Sequence, residues 1–228
     1  MNNLRKMLDR KPLLQVALDV VRLEDALRIA SQLRELNNVY VEAGTPLIKS
    51  EGLRVVRLIK AVTETPVVAD TKTADTALLE ARLATQAGAD AYTVLATAPK
   101  ETLLEAKKAA EEYDILLMVD LIHSTNPLED SRRAAEHGAD IIIVHVGIDV
   151  QQRLGLTADR LAELVSKIKS TTRKLVAVAG GIKPEGIPHL VKAGADILIV
   201  GGYITKSKNP RQAALECLEA MQSSQGMD

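Results

Sequence analysis

Ala87-Gly88-Ala89-Asp90, running directly into Ala91-Tyr92-Thr93-Val94-Leu95, decides the fold. A helix-like segment ends at a glycine that can take the left-handed cap and turn the chain. A five-residue apolar run with β-branched and aromatic members starts at once. The same device returns at His137-Gly138-Ala139-Asp140 and at Ala193-Gly194-Ala195-Asp196. Its copies stand about 50 to 56 residues apart, the length of two βα units each.

Outward from this repeat, eight short apolar runs alternate with helical patterns. The predicted strands are Leu13–Leu18, Asn38–Val41, Pro66–Ala69, Ala91–Leu95, Ile115–Val119, Ile141–Val144, Leu175–Val178 and Ile197–Val200. They are apolar throughout rather than alternating, as strands covered on both faces are. Between them lie stripes such as Leu23, Ala26, Leu27, Ala30, Leu33 and Leu161, Leu164, Val165, Ile168, which give a crossover helix one apolar face. Pro99, Pro127, Pro184 and Pro210 are read as first residues of helices, where a fixed φ and a missing N–H cost nothing. Eight units leave no interdomain linker, so residues 1–228 are expected to form a single α/β domain, a closed (β/α)8 TIM barrel. An open doubly wound sheet is the alternative.

Composition limits the partners. The 228 residues are 46% hydrophobic and 26% charged, with 29 basic against 30 acidic side chains, so the chain lacks the basic excess that binds nucleic acid or an anionic membrane. Aromatics are 2%, too few for base-stacking platforms. The lone Cys217 excludes an intramolecular disulfide framework, the polar N-terminus lacks the apolar core of a signal peptide, and no long apolar run is present. A cytoplasmic protein acting on a small molecule is expected, without nucleic acid or membrane as partner.

In a (β/α)8 barrel the reactive groups collect at the C-terminal strand ends. Here those ends carry Asp19, Glu42, the stretch Asp70-Thr71-Lys72-Thr73-Ala74-Asp75, Asp120 and His145. Asp90, Asp140 and Asp196 precede their strands and belong to the opposite rim, where they are read as structural. Glu42 and Asp70, on neighbouring strands, suit a hard cation such as Mg²⁺, which takes one or two carboxylates plus water and substrate oxygens. The competing reading is an ion-pair network in which Lys72 neutralises both. His145 emerges at the mouth, and imidazole as a class titrates where proton transfer is useful. Gly180-Gly181 and Gly201-Gly202 follow the last two strands, where such barrels commonly bind phosphate through backbone N–H groups. These residues together point to an enzyme that handles a small phosphorylated carbonyl compound through an enediolate.

The pattern resembles the 3-hexulose-6-phosphate synthase family of the orotidine monophosphate decarboxylase suprafamily, over nearly the whole chain. The resemblance is carried by Val16-Ala17-Leu18-Asp19, Glu42-Ala43-Gly44-Thr45-Pro46 with Glu51-Gly52, and the Asp-x-Lys-x-x-Asp motif at Asp70, Lys72 and Asp75. It continues in His145-Val146-Gly147-Ile148-Asp149 with Gln151, in Ala177-Val178-Ala179-Gly180-Gly181, and in Val200-Gly201-Gly202 with Ile204-Thr205. It implies a reversible aldol reaction of ribulose 5-phosphate with formaldehyde, with Mg²⁺ held by Glu42 and Asp70. Lys72 would stabilise the enediolate and His145 would be the acid/base. Asp19 would bind substrate hydroxyls, the four glycines would bind phosphate, and Asp75 would reach into the partner's site of a homodimer.

Gly147 and Gly202 separate the chain from the related 3-keto-L-gulonate-6-phosphate decarboxylases, which usually carry arginine in place of the second glycine. It departs from the family pattern at Thr73-Ala74-Asp75-Thr76-Ala77, Ala96-Thr97, His123 and Tyr203, the last placed to narrow a phosphate pocket. The rival readings are that decarboxylase, an epimerase of a related sugar phosphate, and a phosphosugar-binding module without turnover.

Overall fold

Eight parallel strands close into a barrel in sequence order, β1 pairing with both β2 and β8, in a computed structural model that describes residues 2–146 and 158–223. The strands are β1 (Leu13–Leu18), β2 (Val39–Ala43), β3 (Val67–Thr73), β4 (Ala91–Leu95), β5 (Leu116–Asp120), β6 (Ile141–His145), β7 (Leu175–Ala179) and β8 (Ile197–Val200). Helices α1 (Asn3–Met7), α2 (Leu23–Ser31), α3 (Thr45–Glu51), α4 (Arg54–Thr63), α5 (Ala77–Gln86) and α6 (Lys100–Tyr113) belong to the first half. Then come α7 (Pro127–Glu136), α8 (Ala158–Thr172), α9 (Ile187–Lys192), α10 (Gly202–Thr205) and α11 (Pro210–Ser223). The closed order excludes the open doubly wound sheet.

Several predicted bounds move. Strands β2, β3, β5, β6 and β7 run one or more residues further toward the mouth than their apolar runs, because Glu42, Asp70, Lys72, Asp120 and His145, together with the apolar Ala179, still face the barrel interior. Pro99 is the residue before α6 rather than its first, while Pro127 and Pro210 do open their helices and Pro184 opens a 3-10 turn.

Two apolar cores follow from the period of two along each strand. One lies between strands and helices and takes in Val16, Val41, Ala69, Val94, Val119 and Val144 with α2, α4, α5 and α6. The other fills the barrel with Leu13, Ala17, Tyr40, Val68, Ala91, Leu116, Met118, Ile141, Ile143, Ala177, Ile197 and Ile199. Leu4 and Leu8 join this inner core from below, so the N-terminal segment plugs the barrel floor. Asn2 anchors the plug: its Nδ2 donates to the carbonyls of Asp90 (2.6 Å) and Asp114 (3.0 Å), and its Oδ1 caps α1 at the N–H of Leu4 (2.9 Å).

The repeated tetrapeptide does the same job three times. Gly88, Gly138 and Gly194 all adopt φ between 93° and 100°, the left-handed cap. The following aspartate accepts the N–H of a residue at the start of the neighbouring strand: Asp90 from Val67 (2.9 Å), Asp140 from Leu117 (2.9 Å) and Asp196 from Val176 (2.8 Å). All three stand on the rim opposite the mouth, in structural roles.

Candidate active site at the barrel mouth

Advancing two residues from an inward-facing apolar side chain leads to the mouth on every strand. Tyr40 leads to Glu42, Val68 to Asp70, Ala91 to Thr93, Met118 to Asp120, Ile143 to His145, Ala17 to Asp19, Ala179 to Gly181 and Ile199 to Gly201. The ring above the hydrocarbon core is therefore made of four carboxylates, a threonine, an imidazole and two glycines. This is the arrangement that strand-end reasoning predicts, with Thr93 added.

Asp70, 4% exposed, sits at its centre. Its Oδ2 accepts from Lys72 Nζ (2.5 Å), Thr45 Oγ1 (2.7 Å) and the Thr45 N–H (3.3 Å), and its Oδ1 accepts from Thr93 Oγ1 (2.8 Å). Burial acts to raise its pKa, but the Lys72 charge and these hydrogen bonds outweigh it and hold the carboxyl below its ordinary value. The Thr93 hydroxyl also accepts the Lys72 N–H (2.8 Å), replacing a ladder bond where the β3–β4 register shifts and Lys72 takes φ 47°. The left-handed residue and the bulge re-aim the lysine into the mouth.

Lys72 does not neutralise Glu42. Its ammonium lies 2.5 Å from Asp70 and 3.6 Å from Asp120, which is 1% exposed. Burial alone would lower its proton affinity; the charges of Asp70, Asp120 and Glu42 more than reverse that and keep it protonated well above the ordinary lysine range. Asp120 in turn meets His145 Nδ1 through Oδ2 (2.9 Å) and accepts the Ile122 N–H through Oδ1 (2.9 Å). An ionised carboxylate only accepts, so Nδ1 carries the hydrogen and Nε2 is left as the basic nitrogen. The result is a continuous line from Asp70 through Lys72 and Asp120 to His145.

Glu42, 6% exposed, stands outside that line and accepts from Gln15 Nε2. Burial first, then the charges of Asp70 and Asp19, push its carboxyl well above the usual carboxylate range. Desolvation and the Asp70 charge likewise raise Asp19. Asp19 lies between two glycines: a Cβ on Gly44 would overlap its Oδ1 and stand 2.9 Å from the Leu18 carbonyl, and one on Gly201 would come within 3.3 Å of its Oδ2.

The mouth thus holds more negative charge than Lys72 offsets. Hard oxygen donors on Glu42, with the less occupied Oδ1 of Asp70, have the chemistry to accept a divalent cation that keeps most of its water. Among the described residues no three His, Cys, Asp or Glu side chains cluster tightly enough to cage a metal by themselves.

Gly180 and Gly181 take φ 112° and 60° after β7, a conformation that suits residues without a Cβ. Gly201 and Gly202 join β8 to the short α10. Tyr203 does not turn toward them to narrow a pocket: its hydroxyl donates to Glu216 on α11 (2.5 Å), which pushes its pKa up to about 12. Asp75 is exposed in the β3–α5 loop and is not drawn into the cluster of its own chain. Gly147, Ile148, Asp149 and Gln151 lie outside the described residues.

Residues 12–217 match the Orotidine 5'-phosphate decarboxylase / HUMPS family. The chain is 36% identical over 210 residues to the 3-hexulose-6-phosphate synthase of Staphylococcus haemolyticus, covering 92% of this chain and 98% of that one. It is 37% identical over 216 residues to the bifunctional enzyme Fae/Hps of Methanothrix thermoacetophila, covering 94% of this chain but spanning only about half (54%) of that protein. Among solved structures, a crystal structure of 3-hexulose-6-phosphate synthase superposes with TM-score 0.86 at 38% identity, covering 92% of this chain and 99% of the other. One named KGPDC from Streptococcus mutans, in complex with D-R5P, gives 0.87 at 26%, covering 94% and 99%.

Proposed function

The chain belongs to the orotidine 5'-phosphate decarboxylase / HUMPS family, and we propose that within it the protein is a 3-hexulose-6-phosphate synthase. It would be an aldehyde-lyase that adds formaldehyde reversibly to D-ribulose 5-phosphate, giving D-arabino-hex-3-ulose 6-phosphate. The observation that carries this reading is the 36–38% identity to proteins named as that synthase, over more than nine-tenths of both chains, against 26% to KGPDC of equal fold similarity.

The geometry supports the chemistry. His145 Nε2, for which the described residues show no partner, would take the proton from C1 of the ketose phosphate as the basic nitrogen, while Asp120 holds the ring through Nδ1 and steadies the imidazolium. Negative charge then develops on the enediolate oxygens beside the Lys72 ammonium, a cation already fixed between Asp70 and Asp120. The nucleophilic C1 forms the new bond to the formaldehyde carbon, and the resulting alkoxide takes up a proton. Glu42 and Asp70 would hold Mg²⁺, which when bound supplies Lewis-acid polarisation of the substrate oxygens. Asp19, between Gly44 and Gly201, would accept from substrate hydroxyls, and Gly180, Gly181, Gly201 and Gly202 would receive the phosphate. The exposure of Asp75 suits a role in the site of a partner chain in a homodimer.

The test is formaldehyde consumption by purified protein with Mg²⁺. It should proceed only with ribulose 5-phosphate present and yield the hexulose phosphate. Carbon dioxide release from 3-keto-L-gulonate 6-phosphate, or tight binding of the pentulose phosphate with no turnover, would overturn the assignment. An inactive Lys72→Ala chain mixed with an inactive Asp75→Ala chain should recover activity if the sites are shared, and none if they are not.

A further inference from the structure

Gln15 on β1 and Tyr40 on β2 are register partners, and both are fully buried inside the barrel one layer below the carboxylates. A glutamine and a tyrosine amid Leu13, Ala17, Val68 and Ile199 are costly there unless their polar atoms are paired. One pairing is made, from Gln15 Nε2 to Glu42 Oε2. Among the described residues, Gln15 Oε1 and the Tyr40 hydroxyl have no hydrogen-bond partner.

The two unpaired groups are complementary. One is an acceptor and the other can donate, and they face the same interior from strands about 4.8 Å apart. A single water molecule that accepts from Tyr40 and donates to Gln15 Oε1 would satisfy both. It would also stop the amide from flipping, an event that would set Oε1 against the Glu42 carboxylate.

We propose that Gln15 and Tyr40, joined by one buried water, form the floor of the active site and act as positioning residues for Glu42. Gln15 Nε2 holds one carboxylate oxygen, leaving the other directed to the cation, and the water bridge to Tyr40 fixes which end of the amide faces Glu42. The inference rests on the proposed reading that Glu42 helps hold a divalent cation.

Mn²⁺ binding, followed by the paramagnetic resonance of the free ion, tests it separately from turnover. Glu42→Gln should abolish binding, as the underlying reading requires. Gln15→Met keeps the volume and removes the donor, and should weaken Mn²⁺ binding about tenfold or more while the melting temperature holds or rises. Tyr40→Phe should weaken binding by a smaller factor, and the ordered water seen in a high-resolution crystal structure of the parent protein should be gone from the variant. A Gln15→Met affinity within about twofold of the parent, beside a Glu42→Gln protein that no longer binds, overturns the positioning role while leaving the cation reading intact; a fall in melting temperature at unchanged affinity does the same. Undiminished Mn²⁺ binding by Glu42→Gln overturns both. If Gln15→Met does not fold, the parent crystal structure decides, since absence of a water between Tyr40 and Gln15 refutes the bridge.

Discussion

Replacing Glu42 by glutamine should make the cation-free protein more stable while making it inactive. Glu42 is pushed well above the usual carboxylate range by burial and by the charges of Asp70 and Asp19. The folded state therefore binds the proton more tightly than the unfolded chain, so this group contributes stability that is complete below its ordinary value of 4.5 and is lost as pH rises through the folded value. Above both values the deprotonated carboxylate costs the folded state free energy that the unfolded chain does not bear. A neutral amide carries no such cost, its oxygen still accepts from Gln15 Nε2, and its NH₂ faces the Asp70 side of the mouth with donors. Glu42→Gln in chelator at pH 8 should thus melt above the parent. The gain should vanish toward pH 4. Mg²⁺ at a hundred times its dissociation constant should raise the parent by about 2.7 kcal/mol and leave the variant unmoved. Thermal melts at several pH values with and without Mg²⁺ make the comparison. A variant that melts lower than the parent in chelator at pH 8 would refute the reasoning, because Glu42 would then be a stabilising member of an ion-pair network.

Asp120→Asn removes both the counter-charge 3.6 Å from Lys72 and the acceptor that orients His145, so kcat should fall about 10²–10⁴-fold in a folded protein; steady-state kinetics with circular dichroism checks this. Gly44→Ala sets a Cβ against Asp19 and the Leu18 carbonyl, and should cost about 1–3 kcal/mol and raise KM for the sugar phosphate. Gly202→Ala, whose Cβ would make only ordinary contact with Lys206 at 3.8 Å, should match the parent in urea denaturation. Leu4→Ala should lose about 2–5 kcal/mol by emptying part of the barrel floor, with KM unchanged.

The fold was legible because each signal is local. A glycine cap followed by an apolar run needs no tertiary contact to be recognised, and three spaced copies fixed the βα rhythm. Strand ends were less so: the apolar run of the third strand stops at Ala69, because polarity marks exposure in most sequences, yet Asp70 and Lys72 continue β3 along the inward face while Thr73 turns outward to Glu80 of α5. Period-two counting from Val68 would have recovered Asp70 and Lys72 as strand residues, and from Ala91 would have found Thr93. The competing reading of Lys72 failed in an instructive way. The lysine does join two carboxylates, but the second is Asp120, two strands away around the barrel, and sequence spacing alone does not measure that distance. Thr45 was visible only as part of a motif; its three bonds to Asp70 depend on where α3 begins. Tyr203 was misread because Glu216, its partner, comes from a helix that follows rather than from the strand end beside it.

The three aspartate staples carry a consequence for how the molecule breathes. The amides of Val67, Leu117 and Val176 would ordinarily exchange early, since the first residues of a strand fray before its centre does. Each is held instead by a side chain from the turn that enters the next strand, so releasing any one requires two adjoining βα units to loosen together. Deuterium uptake at these three amides should therefore follow the global opening of the barrel, making the end without chemistry the slow-exchanging end and leaving local motion to the mouth.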